Sequence, residues 1–156
     1  MKPETTNPPA GCLLIGIDCG TNTGFAVWDP ARREFTKLKT LAIHRAMEAV
    51  KALHEMPGVT VEVYFEDARL RNWFEHERNA SEYRGKLMGA GAVKRDSAIW
   101  EDFLTDYKIP FKAVAPKNNA TKVEVDFFNR ITGWEGSSSE HSRDAAMLVF
   151  GRGVPR

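Results

Sequence analysis

Three acidic residues stand out by where they fall. Asp18 closes the apolar run Leu13-Leu14-Ile15-Gly16-Ile17 and opens the Gly/Thr-rich stretch Cys19-Gly20-Thr21-Asn22-Thr23-Gly24. Glu66 ends Val61-Glu62-Val63-Tyr64-Phe65, and Asp144 lies in Ser137-Ser138-Ser139-Glu140-His141-Ser142-Arg143-Asp144-Ala145-Ala146. Carboxylates brought together without cysteines or a histidine array are hard oxygen ligands, suited to Mg2+ or Mn2+ rather than zinc. Packed close, they repel one another and raise their own pKa values, and a divalent cation relieves that repulsion. Two such ions about 4 Å apart can activate a water and stabilise the leaving oxygen in phosphodiester hydrolysis. His141 precedes Asp144 by three residues, so on a helix the two face the same way.

Plainer roles exist for each residue. An aspartate before a glycine-rich turn often bonds its own backbone. Glu66 could simply end a strand, with Asp67 beside it as a competitor for its role. Asp144 could be a first-turn acid favoured by the helix dipole, and His141 a surface histidine. The three acids at the ends of the right elements weigh more together than any one alone.

Residues 69–95 carry Arg69, Arg71, Arg78, Arg84, Lys86, Lys94 and Arg95 against Glu75, Glu77 and Glu82. This local positive excess begins just after Glu66, and the interleaved Trp73 and Phe74 suit stacking on exposed bases or wedging between them. The alternative is a solvated helix face with two aromatics packed under a loop. Lys117 and Lys122 follow the fifth strand, where an ammonium could reach a scissile phosphate.

These residues need a frame to hold them. The chain has 156 residues, enough for one domain with one core, and a formal net charge of +1, so any positive surface is local. Residues 1–11 read as a flexible tail with Pro3, Pro8 and Pro9, and 12–156 as the domain. Cys12 and Cys19 read as reduced thiols in a cytoplasmic protein, and no apolar run reaches membrane-spanning length. Strands are expected at Leu13–Asp18, Gly24–Trp28 and Arg33–Leu41, forming an antiparallel meander with Gly20 and Gly24 bracketing a tight turn. A helix over 42–56 ends at Pro57-Gly58. A fourth strand spans Val59–Phe65, and Ser81–Tyr107 should be mostly helical. A fifth strand follows at Ile109–Ala115, a helix at Asn118–Ile131, and a last helix near Ser139, where Ser137-x-x-Glu140 fits a capping box. The order predicts an α/β fold with a five-stranded mixed sheet, three antiparallel strands then parallel ones, and helices on both faces. Right-handed crossovers place the fourth strand beside the first, with Asp18 and Glu66 at neighbouring carboxyl ends, where open α/β sheets build their sites.

With these residues in view, the chain resembles the RuvC family of Holliday-junction resolvases, within the RNase H-like nucleases. The resemblance rests on Ile15-Gly16-Ile17-Asp18-Cys19-Gly20-Thr21-Asn22-Thr23-Gly24, Phe65-Glu66, Gly85-Lys86-Leu87-Met88-Gly89-Ala90-Gly91-Ala92-Val93, Ala115-Pro116 and His141-Ser142-Arg143-Asp144-Ala145-Ala146, in that order across residues 13–150. It implies a metal-dependent endonuclease that cuts four-way and branched DNA as a homodimer, without a nucleotide cofactor and away from membranes. The implied site is Asp18, Glu66, His141 and Asp144 with two Mg2+ ions, Mn2+ being a substitute. His141 stands where many members have aspartate, as ligand or acid–base group. The family's junction-engaging aromatic corresponds to Trp73 or Phe74, its phosphate-facing lysine to Lys117 or Lys122, and its dimer helix to the one carrying Gly89 to Ala92. The compact chain also resembles a phage-encoded member, acting in the host cytoplasm. Two other readings compete: an ATP-binding fragment like the actin and sugar kinases, and a related RNase H-like nuclease acting on RNA.

Overall fold

A computed structural model describes residues 11–70, 80–116 and 119–154, with side chains for all of these except 80–88 and 90. The chain forms strands β1 (Gly11–Asp18), β2 (Asn22–Asp29) and β3 (Glu34–Ala42), helix α1 (Ile43–His54), strand β4 (Val59–Glu66), and a single 3-10 turn at Ala68–Leu70. Helix α2 (Ala80–Asp106), strand β5 (Phe111–Val114), and helices α3 (Val125–Thr132) and α4 (Glu140–Met147) follow. The sheet order is β3-β2-β1-β4-β5, antiparallel between β1, β2 and β3 and parallel from β1 to β4 and from β4 to β5. The expected α/β class, mixed sheet and position of β4 beside β1 are all present.

Alternation along the strands divides the core in two. Leu13, Ile15 and Ile17 of β1 join Phe25 and Val27 of β2 and Val61, Val63 and Phe65 of β4 on one face, covered by Ala46 and Val50 of α1 and Trp100 and Leu104 of α2. Leu14, Ala26, Trp28 and Tyr64 point to the other face, under Phe128 of α3 and Ala145 and Ala146 of α4. Burying both faces of a sheet is what makes β1 and β2 read as nearly continuous apolar runs. Cys12 and Cys19 are both free thiols.

Several boundaries differ from expectation, each for a local reason. The helix expected over 118–131 forms only at Val125–Thr132. Before it, Lys122 sits in the left-handed region at φ 56°, and its amide is committed to Asp144 rather than to a helical carbonyl. The fifth strand starts at Phe111 because Ile109 closes α2 instead, donating to the Leu104 carbonyl. The capping box is not Ser137 with Glu140. Ser139 caps α4 by accepting from the Ser142 amide at 3.0 Å, and Ser142 Oγ accepts from the Ser139 amide at 2.9 Å. Gly11, assigned to the tail, opens β1. Among the described residues no helix is long and apolar enough to cross a membrane.

Candidate acidic site

The pairing of β1 with β4 runs through Ile17 opposite Phe65, so Asp18 and Glu66 occupy the next positions, side by side at the strand ends. Period-two alternation turns both toward the α4 face and sends Asp67 the other way. This separates Glu66 from its competitor. Asp67 is buried, and the Arg69 guanidinium binds both its oxygens, Nε to Oδ1 at 2.9 Å and Nη2 to Oδ2 at 2.7 Å. Arg69 Nη2 also donates to Glu101 of α2.

Helix α4 reaches the strand ends because two glycines let it. A Cβ built on Gly16 would lie 2.0 Å from the Ala145 carbonyl oxygen, and one on Gly24 would lie 2.0 Å from that of His141. Gly24 is therefore not a turn residue. It sits in β2 opposite Asp18, and with Gly16 it forms a floor on which the α4 backbone rests. The turn itself is 19–21, tied by Thr23 Oγ1 donating to the Gly20 carbonyl at 2.7 Å. Arg143 locks the helix from its other side. Its Nε donates to the Val123 carbonyl at 2.9 Å and its Nη1 to the Ser138 carbonyl at 3.0 Å. Thr40 of β3 hydrogen-bonds Ser139 at the helix start.

This docking brings the predicted residues together. His141 Nδ1 lies 2.9 Å from Asp18 Oδ2, across 123 positions of sequence. Burial pushes the Asp18 carboxyl up from 3.8 to about 6; the His141 contact opposes the rise, while the Asp144 and Glu66 charges add to it. Burial also raises Asp144, against the pull of the Lys122 amide, which donates to Asp144 Oδ1 at 2.8 Å. Glu66 Oε2 accepts from Asn119 Nδ2 at 3.0 Å, and the same nitrogen lies 3.4 Å from the Asp144 main-chain carbonyl. Asp18, Glu66, His141 and Asp144 thus share one acidic end of the sheet.

Among the described residues, no three His, Cys, Asp or Glu side chains stand close enough to enclose a metal ion. The arrangement is an open group of like charges, not a closed cage. Its donor set nonetheless fits a hard divalent cation: carboxylate oxygens, no thiolate within the group, and a central aspartate whose negative charge is disfavoured by burial and by its acidic neighbours.

The other predicted positions fare differently. Arg69, expected to touch DNA, is engaged by Asp67 and Glu101. Lys122 is beside the site, but through its main-chain amide. Arg95 is exposed and pairs with Asp96 at 3.5 Å. Arg71, Trp73, Phe74, Arg78 and Lys117 lie outside the described residues, as do the side chains of Arg84 and Lys86 on α2. Asn119 and the glycine floor were not foreseen as parts of the site. The sequence signal for Asn119 is the Asn118-Asn119 pair shortly after Pro116, at the start of the expected helix. Neither a scan of protein-family models nor a search of curated proteins finds a match to this chain.

Proposed function

We propose that the chain is a divalent-cation-dependent, structure-specific endonuclease with an RNase H-like fold and RuvC-type chemistry, which hydrolyses phosphodiester bonds at four-way and other branched DNA. The observation that carries this reading is the Asp18–His141 contact with Glu66 and Asp144 acting on the same carboxylate. Partly buried like charges, two at the carboxyl ends of parallel strands and one on the helix above them, with a titratable group raised toward neutrality, favour a ligand site over a packing solution.

Asp18, Glu66 and Asp144 would hold Mg2+ or Mn2+. The cation, when bound, supplies Lewis-acid activation of water and neutralises charge on the phosphate. Asp18 feels the charge of both other acids, and the cation would relieve that repulsion. His141 commits Nδ1 to Asp18, which orients the ring and leaves Nε2 to hold or pass a proton at a phosphodiester oxygen. Its side chain is about half exposed, as a group meeting a large substrate must be. Hydrolysis joins the water oxygen to phosphorus and breaks the bond to O3′, leaving a 5′-phosphate and a 3′-hydroxyl. The exposed glycines Gly89 and Gly91 of α2, with no atom of the described residues near their Cβ positions, suit close approach of a second copy, and two-fold symmetric sites match two symmetric strands of a junction.

The test is incubation of the purified protein with labelled four-way, three-way, forked and linear DNA and with RNA, in Mg2+ and in chelator. Cation-dependent cutting, strongest on four-way DNA, is expected. No cutting of any substrate in Mg2+ or Mn2+ overturns the reading, and cutting of RNA alone moves the protein to the RNA-directed alternative.

A further inference from the structure

The loop between β5 and α3 touches both Glu66 and Asp144, and none of the chemistry above uses it. Asn119 Nδ2 donates to Glu66 Oε2 at 3.0 Å and lies 3.4 Å from the Asp144 carbonyl oxygen. Both partners are acceptors, so the amide must present its nitrogen on this side. Among the described residues its buried Oδ1 has no hydrogen-bond partner. Three residues on, Lys122 holds a φ of 56°, unfavourable for a residue with a side chain, while its amide donates to Asp144 Oδ1 at 2.8 Å. One short stretch therefore grips an acid carried by a strand and an acid carried by a helix.

An asparagine needed only for packing could be replaced by an apolar side chain of the same shape, and no oxygen would be left orphaned. A strained backbone and an unpartnered buried acceptor beside the same two acids are features that folding alone would not favour, and such features cluster where function requires them. The hydrogen bond to Glu66 and the contact with the α4 backbone tie the two elements at one point.

We propose that Asn119 is a positioning residue of the acidic site. It fixes the Glu66 carboxylate relative to the α4 backbone, so that the ligand oxygens are in place when a divalent cation binds. The proposal rests on the reading of this cluster as a cation site. Outer groups that orient ligands commonly change metal affinity 10–100-fold when removed.

The experiment is calorimetric titration of Mn2+ into the wild-type protein, Asn119→Ala and Asn119→Leu, without DNA, with Asp18→Asn as reference. Leucine keeps the branched shape of asparagine and removes the donor. Affinity is expected to fall roughly 10-fold in both Asn119 variants, with cation-free melting temperature nearly unchanged in Asn119→Leu. Unchanged Mn2+ affinity in Asn119→Leu overturns the proposal while the cation site stands, whether or not Asn119→Ala folds. Loss in Asn119→Ala with full affinity in Asn119→Leu assigns the residue to packing and also overturns it. Absence of Mn2+ binding by the wild-type protein removes the cation site itself, and the positioning role with it.

Discussion

Asp18 and Asp67 sit at the ends of adjacent parallel strands, both largely shielded from water, yet their surroundings are opposite. Asp67 faces α2, where the Arg69 guanidinium binds both its oxygens and holds its carboxyl below the usual range, against the opposing pull of burial. Asp18 faces α4, where burial, with Asp144 and Glu66 adding to it and His141 opposing, raises its carboxyl to about 6. The first is a satisfied ion pair that ties the segment after β4 to α2 through Glu101. The second is a carboxylate left without a full counter-charge. Among the described residues, the fold supplies an arginine to buried Asp67 and an imidazole to partly buried Asp18, which suits the second site to a cation from solution.

The largest effect expected at the Asp18 side is on chemistry. Asp18→Asn should cut cleavage of four-way DNA by on the order of 1000-fold or more. The same change should stabilise the cation-free protein at pH 7 by about 2 kcal/mol, because the raised carboxyl is a folding cost. Denaturant unfolding in chelator checks the second half, and a loss of stability would show that Asp18 is a structural acid like Asp67.

Next comes the floor beneath α4. Gly24→Ala places a Cβ 2.0 Å from the His141 carbonyl oxygen, so the helix must move or the protein must lose roughly 3 kcal/mol. Where the helix moves, His141 leaves Asp18. Chemical shifts of the His141 ring should change together with activity, while the Asp67–Arg69 side stays intact.

On the other side of the comparison, Arg69→Ala leaves the buried Asp67 without its counter-charge. Arg69 is itself about one-third exposed, so the cost should be about 1–3 kcal/mol, below that of a fully buried pair. Junction binding should persist, because this guanidinium is occupied within the fold. A marked fall in DNA affinity at unchanged stability would return Arg69 to the DNA-binding surface expected from the sequence.

The smallest effect is the opposite pH dependence of the two acids. Asp18 binds its proton more tightly in the folded state, so its contribution is most favourable at low pH and declines as pH rises from about 4 to 6. Asp67 does the reverse. Its contribution is full above the ordinary carboxylate range and is lost as pH falls through its lowered folded value. Stability curves of Asp18→Asn and Asp67→Asn, each subtracted from wild type, should slope in opposite directions over those windows. Parallel slopes would dissolve the distinction.

Much of this arrangement was legible along the chain. The apolar run into Asp18, the β-branched run into Glu66 and the helical spacing of His141 and Asp144 are local patterns, and local patterns record secondary structure directly. Sheet order followed from the handedness of crossovers. Residues 119–124 depart from the expected helix because one distant contact, Asp144 capturing the Lys122 amide, overrides their local pattern. Gly24 opens the expected second strand and lies in β2, but its role under α4 is not legible, because a glycine beside a turn and a glycine under a helix look alike until the helix is placed.

The sequence by itself determined the order of elements, the two-faced core and which acids end the strands, since each follows from neighbours and from a repeat of two or 3.6 residues. Only the tertiary structure decided that Glu66 and not Asp67 joins Asp18, that α4 rests on Gly16 and Gly24, and that Asn119 grips Glu66. These are meetings of residues from 48 to more than 100 positions apart, set by backbone approach distances and by competition among partners for a few charges. No stretch of sequence contains both sides of such a contact.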